Sequence, residues 1–163
     1  ENLTTHLRLS NNKQNEIYFL MIGIDHFKAV IDEFDYDVAD KVLIELAKVI
    51  HSNINEFDMV GRLNGDEFLV SILNTTGEYQ VEEVAKKIIS DFTEISILIN
   101  EEKKQYLKKT ICIGFETYRL HSDITITECI KNADIALYEA KNRGRSQFFK
   151  FSELSAEDTI DLF

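Results

Sequence analysis

The stretch that most constrains the fold is Arg62-Leu63-Asn64-Gly65-Asp66-Glu67-Phe68-Leu69-Val70. An Asn-Gly pair lies between two short apolar runs and is followed at once by two carboxylates. Asn-Gly is the strongest short-range hairpin signal, because both central residues of such a turn need positive φ. The chain has to reverse here, and the reversal lifts Asp66 and Glu67 to the mouth of a hairpin, within reach of a cation or a phosphate. The apolar run 17–24 reads as a strand buried on both faces. It carries Gly23 where a second carboxylate would be most useful.

The remaining periodicity fills in a mixed α/β (α+β) domain. A short helix is expected around 27–33. A longer one follows, with Val38, Val42, Leu46, Val49 and Ile50 on one face and Asp35 or Asp37 as its cap. Residues 58–63 and 67–73 form the hairpin. Val81, Val84, Ala85, Ile88 and Phe92 lie at helical spacing, and 95–99 and 107–115 read as strands. The last helix opens with a Thr125/Glu128 capping box, buries Ile126, Cys129, Ile130, Ala133, Leu137 and Ala140, and stops at Gly144. Residues 147–151 close a five-stranded, mainly antiparallel central sheet flanked by helices. Residues 1–10 read as the tail of an entering helix. The expected organisation is one domain over 1–150, then an acidic tail or linker, 151–163, leading to a downstream domain.

The chain has 163 residues, enough for one substantial core, and a formal charge of −11. That charge argues against nucleic-acid binding and against contact with an acidic membrane. Any anionic ligand has to be held by a local basic cluster or a cation. Cys112 and Cys129 sit in apolar contexts without metal spacing, which suits buried thiols in a reducing cytoplasm. The absence of an initiating Met reads as a piece of a longer, cytoplasmic or membrane-anchored protein.

Three segments can converge at one end of the sheet: 23–28, the hairpin tip 64–67, and Lys141-Asn142-Arg143-Gly144-Arg145. Alone, each has an ordinary reading. Acidic residues after a turn are commonly a solvated edge, basic residues at a helix end commonly answer the dipole, and His26 has no partner at metal spacing. Together, Asp25-His26-Phe27-Lys28, Asp40, Arg62-x-Asn64-Gly65-Asp66-Glu67-Phe68, Ile113-Gly114 and Ala133-Asp134-x-Ala136-Leu137-Tyr138-x-Ala140-Lys141-x-x-Gly144-Arg145 resemble the GGDEF family. These are the domains of diguanylate cyclases, which join two GTP into cyclic di-GMP.

The resemblance implies a palm-like nucleotidyl cyclase fold, Mg²⁺ as cofactor, and a GTP half-site on each of two subunits. It implies Asp66 as a Mg²⁺ ligand, with the Ile24 backbone as another, and Glu67 assisting at the cation or at the attacking hydroxyl. Asn64 and Gly65 would let the backbone approach the phosphates, and Phe27 and Lys28 would offer amides and charge. Asp40 would accept from the guanine edge, and Lys141 and Arg145 would hold the terminal phosphates.

Departures from the family pattern are as telling. Its first metal-binding Asp is Gly23 here, its guanine-contacting Asn is Ile31, and its Gly-His pair before the long helix is Asp35-Tyr36. The first motif glycine is Asn64. The product-inhibition R-x-x-D reads Asn55-Glu56-Phe57-Asp58, without the Arg. Asp25 lies on the same side of its strand as Gly23, but about 6.6 Å further along. Mg²⁺ demands ligands at about 2.0–2.1 Å, so direct replacement needs a rearranged strand end. The expectation is a degenerate member: cyclase activity absent or very low, Mg²⁺ binding weak or lost, and a regulatory GTP-binding role beside a sensor or phosphodiesterase domain. An active cyclase with an altered metal site, and a nucleotide-free interaction scaffold, stay open, as does a homodimer.

Overall fold

The computed structural model describes residues 16–73 and 77–154. The expected helix over 1–10 and most of the acidic tail lie outside them. Seven strands and four helices follow in the order β1 (Glu16–Ile24), α1 (Phe27–Glu33), α2 (Tyr36–Asn53), β2 (Met59–Leu63), β3 (Glu67–Ile72), α3 (Glu78–Glu94), β4 (Ile97–Asn100), β5 (Gln105–Leu107), β6 (Ile111–Arg119), α4 (Ile126–Asn142) and β7 (Phe148–Lys150). A single 3-10 turn, Phe151–Glu153, ends the described chain. Among the described residues no helix is long and apolar enough to cross a membrane.

The central sheet has the order β2-β3-β1-β6-β7. All its pairs are antiparallel except β6 with β7. β1 is the middle strand, and its apolar run explains the placement. Tyr18, Leu20, Ile22 and Ile24 point into the core shared with α2 and α3. Ile17, Phe19 and Met21 point into the core shared with α4. A strand covered on both faces has no room for the polar half of an alternating pattern. Each large aliphatic or aromatic side chain buried this way contributes on the order of 1.5–3 kcal/mol.

The helix ends follow their local chemistry. The Asp35 side chain caps α2 by accepting from the Val38 amide at 2.9 Å, and Asp37 falls in the first turn instead. Thr125 and Glu128 form the expected capping box of α4. At the other end of α4, Gly144 takes φ 121° and the Arg145 amide reaches back to the Ala140 carbonyl at 3.2 Å. That backward bond is the mark of a glycine-terminated helix.

Three expectations need correction. The strand expected over 107–115 is two strands, broken at 108–110: Gln105–Leu107 pairs with β4, whereas Ile111–Arg119 pairs with β1, and the Asp25 amide donates to the Thr110 carbonyl at 2.9 Å just ahead of that ladder. The strand expected over 95–99 does not enter the central sheet. It pairs with β5 as a separate two-stranded ribbon. The closing strand is shorter than 147–151. Phe151 instead starts the 3-10 turn, and it packs with Leu154 against the α4-side core. Both cysteines are free and buried. Burial pushes each thiol up to about 11, with a hydrogen bond to Asp25 adding to the effect at Cys112. Thiolates are therefore scarce near neutral pH.

Candidate functional site

The hairpin tip has positive φ at both residues of its Asn-Gly pair, 35° at Asn64 and 69° at Gly65. Leu63 pairs with Glu67, so the loop is three residues long: Asp66 sits in the loop and Glu67 opens β3. The Arg62 guanidinium donates from Nε to the Gly65 carbonyl at 2.8 Å, which braces the tip. The motif contains Arg62, but its spacing alone assigned it no role.

Strand register brings the first two segments together. Gly23 is the direct partner of Glu67 across β1 and β3. It is the last pair of that ladder, so the Ile24 backbone lies just beyond it, at the mouth of the hairpin. The third segment comes down from α4. A Cβ placed on Gly23 would lie 3.2 Å from Lys141 Nζ and 3.2 Å from Leu137 Cδ2. The ammonium of Lys141 thus covers the position where the family pattern has a carboxylate. All three segments converge as expected.

Asp134 joins them, and sequence reasoning gave it no role. Its carboxylate lies near that of Glu67, and it is two turns before Lys141 on α4. The i, i+3, i+7 spacing of Asp134, Leu137 and Lys141 was the available signal, since such residues share a helix face. Burial raises the Glu67 carboxyl from an ordinary 4.5 to about 7; Asp134 and Asp66 add to the rise and Lys141 opposes it.

The consequence for stability has a definite sign. A carboxyl raised on folding takes up a proton between about 4.5 and 7, so the folded state loses stability as pH climbs through that window. Glu67→Gln removes the charge that must be desolvated. After discounting for the half-exposed setting, we expect it to stabilise by about 1–2 kcal/mol at pH 8 and negligibly at pH 4.5. Urea melts at both pH values read this. An equal change at both would show that the charge on Glu67 is not penalised.

Asp25 has a different duty. It is 1% exposed. Oδ2 accepts from Thr110 Oγ1 at 2.6 Å and from the Ser146 amide at 3.0 Å, and Oδ1 accepts from Cys112 Sγ at 3.1 Å. It tethers the chain after α4 to the end of β1 and is not available as a stand-in for the carboxylate missing at Gly23.

The other candidates sit around this centre. Phe27 and Lys28 occupy the first turn of α1, whose leading amides have no partner within the helix. Phe27 packs on the core and Lys28 is exposed. Asp40 lines a groove of about 400 Å³ with Leu43, Ile44, Ala47, Arg62 and Phe68. An apolar floor edged by one carboxylate and one guanidinium suits a flat heteroaromatic ring. Ile31 packs on the core, and Tyr36 is 72% exposed. Asn55 is engaged locally: its Oδ1 accepts from the Phe57 amide at 3.0 Å, and its own amide donates to Asp58 Oδ2 at 3.0 Å. Asp58 also accepts from the Leu73 amide at 3.0 Å, so the remnant of the R-x-x-D segment fastens the start of β2 to the end of β3.

The residues present do not fit a pair of divalent cations. The carboxylate side is Asp66 with Glu67 and Asp134, the facing position is Gly23, and an ammonium lies over it. Among the described residues no three His, Cys, Asp or Glu side chains are grouped to hold a metal ion.

The profile of the family described as "Diguanylate cyclase, GGDEF domain" matches residues 1–147. Diguanylate cyclase A of Treponema denticola is 35% identical over 138 residues, which is 85% of this chain and 36% of that protein. The chain spans about a third of the length of the curated relatives it matches. Among solved structures, the active GGEEF domain of a diguanylate cyclase from Vibrio cholerae superposes with a TM-score of 0.74 at 30% identity, covering 91% of this chain and 88% of that one. The GGDEF domain of TpbB from Pseudomonas aeruginosa gives a TM-score of 0.85 at 27% identity, covering 99% and 90%.

Proposed function

The chain belongs to the diguanylate cyclase GGDEF-domain family, and from that premise we propose that it is a regulatory GTP-binding domain of a cyclic di-GMP signalling protein, with cyclase activity absent or very low. The supporting observation is the pairing of Gly23 with Glu67 beneath the Lys141 ammonium. A cation gripped from two neighbouring strands would here be gripped from one. Loss even of a group that only orients a metal ligand costs about 10–100-fold, and loss of a ligand costs more.

In this reading the Asp40 groove takes the guanine, and Lys28, Lys141 and Arg145 face the phosphates. Ile31 withdraws one base contact, at a cost of about 1–3 kcal/mol for the polar group left unpaired. The domain then reports GTP to a neighbouring sensor or phosphodiesterase domain rather than consuming it.

Incubation of the chain with Mg²⁺ and GTP should give no cyclic di-GMP above background. Robust synthesis by the unmodified chain overturns the proposal. The double change Gly23→Asp with Ile31→Asn should tighten GTP binding in Mg²⁺ by about ten-fold or more, as expected for one recovered ligand and one recovered base contact. The new Cβ at 23 meets only side-chain ends that can move. Unchanged GTP affinity in the double variant would show that the site is assigned to the wrong residues.

A further inference from the structure

We infer that the phosphate-binding part of this site works without a divalent cation, Lys141 supplying the positive charge that a metal would bring. This rests on the reading of the groove as a GTP site and adds the form in which the nucleotide is bound. Three observations carry it. First, Lys141 Nζ lies 3.2 Å from where a Gly23 side chain would begin, so the absent carboxylate has left room that the ammonium covers. Second, the Lys141 ammonium lies near enough to Glu67 to oppose the rise of its carboxyl, but no hydrogen bond or ion pair is formed by it among the described residues. It is half-buried, and its donors are open to an incoming anion. Third, the side chains of Lys28 and Arg145 are likewise without a partner among the described residues. The backbone at Arg145 is held by the Ala140 carbonyl and, through Ser146, by Asp25.

A triphosphate approaching Asp66, Glu67 and Asp134 meets repulsion that must be offset. A carboxylate at position 23 would lie beside Lys141 and, without a cation to draw it away, compete with phosphate oxygens for that ammonium. With glycine there, the ammonium stays available for phosphate oxygens, and charge-assisted bonds of this kind are the strong ones. The substitution that weakens a metal site thus strengthens a cationic one.

Titration calorimetry of GTP into the 163-residue chain, once in Mg²⁺ and once in EDTA, tests this directly. The expected dissociation constants agree within about three-fold. Binding in Mg²⁺ that weakens more than about ten-fold in EDTA overturns the inference while leaving the GTP-binding reading intact. No binding in either buffer overturns that reading as well. Lys141→Met should weaken binding about ten-fold or more in both buffers, the loss of a charge-assisted hydrogen bond, and Lys141→Arg should recover part of it. Gly23→Asp should make binding depend on Mg²⁺. If Lys141→Met, with an unchanged melting temperature, binds as tightly as the parent in EDTA, the ammonium is not the element that replaces the cation.

Discussion

Gly114→Ala is expected to destabilise the domain by about 3 kcal/mol or more, at the upper end of what overpacking usually costs. A Cβ at this position would lie 2.0 Å from the Ala133 carbonyl oxygen, 2.3 Å from the Leu137 amide nitrogen and 2.9 Å from Leu137 Cα. All three are backbone atoms of α4, so no rotamer change can relieve the contact. Carbon atoms pack at about 3.5–4.0 Å, and α4 therefore has to lift off β6 by more than about 1 Å. The lift opens the apolar layer of Cys129, Ala133, Ala136, Leu137 and Ala140 against Phe19, Met21 and Cys112. It also carries Asp134 and Lys141 away from Glu67 and Gly23. Thermal melts should show a fall of about 6–12 °C, since a domain of this size loses about 2–4 °C per kcal/mol. If the site takes GTP as proposed, affinity should fall even below the transition. Gly61→Ala is the control. A Cβ there meets nothing within 4 Å, and the residue is exposed in β2. Its melting temperature should hardly move. A Gly114→Ala melt within 2 °C of the parent would mean that α4 does not sit directly on β6.

Asp25→Ala is expected to be of similar size, about 3–5 kcal/mol, by a different mechanism. Removing the carboxylate strands the Cys112 thiol in a buried site and leaves the Thr110 hydroxyl and the Ser146 amide without this partner in partly buried ones. Each donor left without a partner costs about 1–3 kcal/mol, least for a thiol. Asp25→Asn preserves the shape but keeps only one acceptor oxygen, and should fall between the parent and the alanine variant. The functional effect is separable from the structural one. Arg145 and Ser146 hold φ of 62° and 52°, a conformation that is uncommon outside glycine. The Ser146 tether to Asp25 is one of the contacts that hold them there. On the proposed reading of the site, freeing that turn should weaken GTP binding through Arg145. Asp25→Ala with an unchanged urea midpoint would rule out the carboxylate as the anchor.

Much of the architecture was legible in the sequence because the signals are local. The φ requirement of Asn64-Gly65 made the hairpin, Thr125 and Glu128 marked the start of α4, and the unbroken apolar run of β1 marked the central strand. The site was legible in part. Alternation along β1 put Asp25 on the same side of the strand as Gly23. It could not reveal that Thr110, Cys112 and Ser146, from other parts of the chain, take both of its oxygens. The break at 108–110 was missed for a related reason: the two halves of that apolar run pair with different partners, β4 and β1, which lie far apart in sequence.

The sequence by itself determined where the chain turns and which faces it buries, because turn geometry, helix capping and side-chain periodicity are properties of neighbouring residues; the gap at Gly23 was legible only against the family pattern. Tertiary structure alone decided what stands over the gap. Lys141 covers Gly23, and burial together with Asp134 raises the Glu67 carboxyl, because strand register and the close seat of α4 on Gly114 bring distant segments together. No periodicity along the chain encodes that contact.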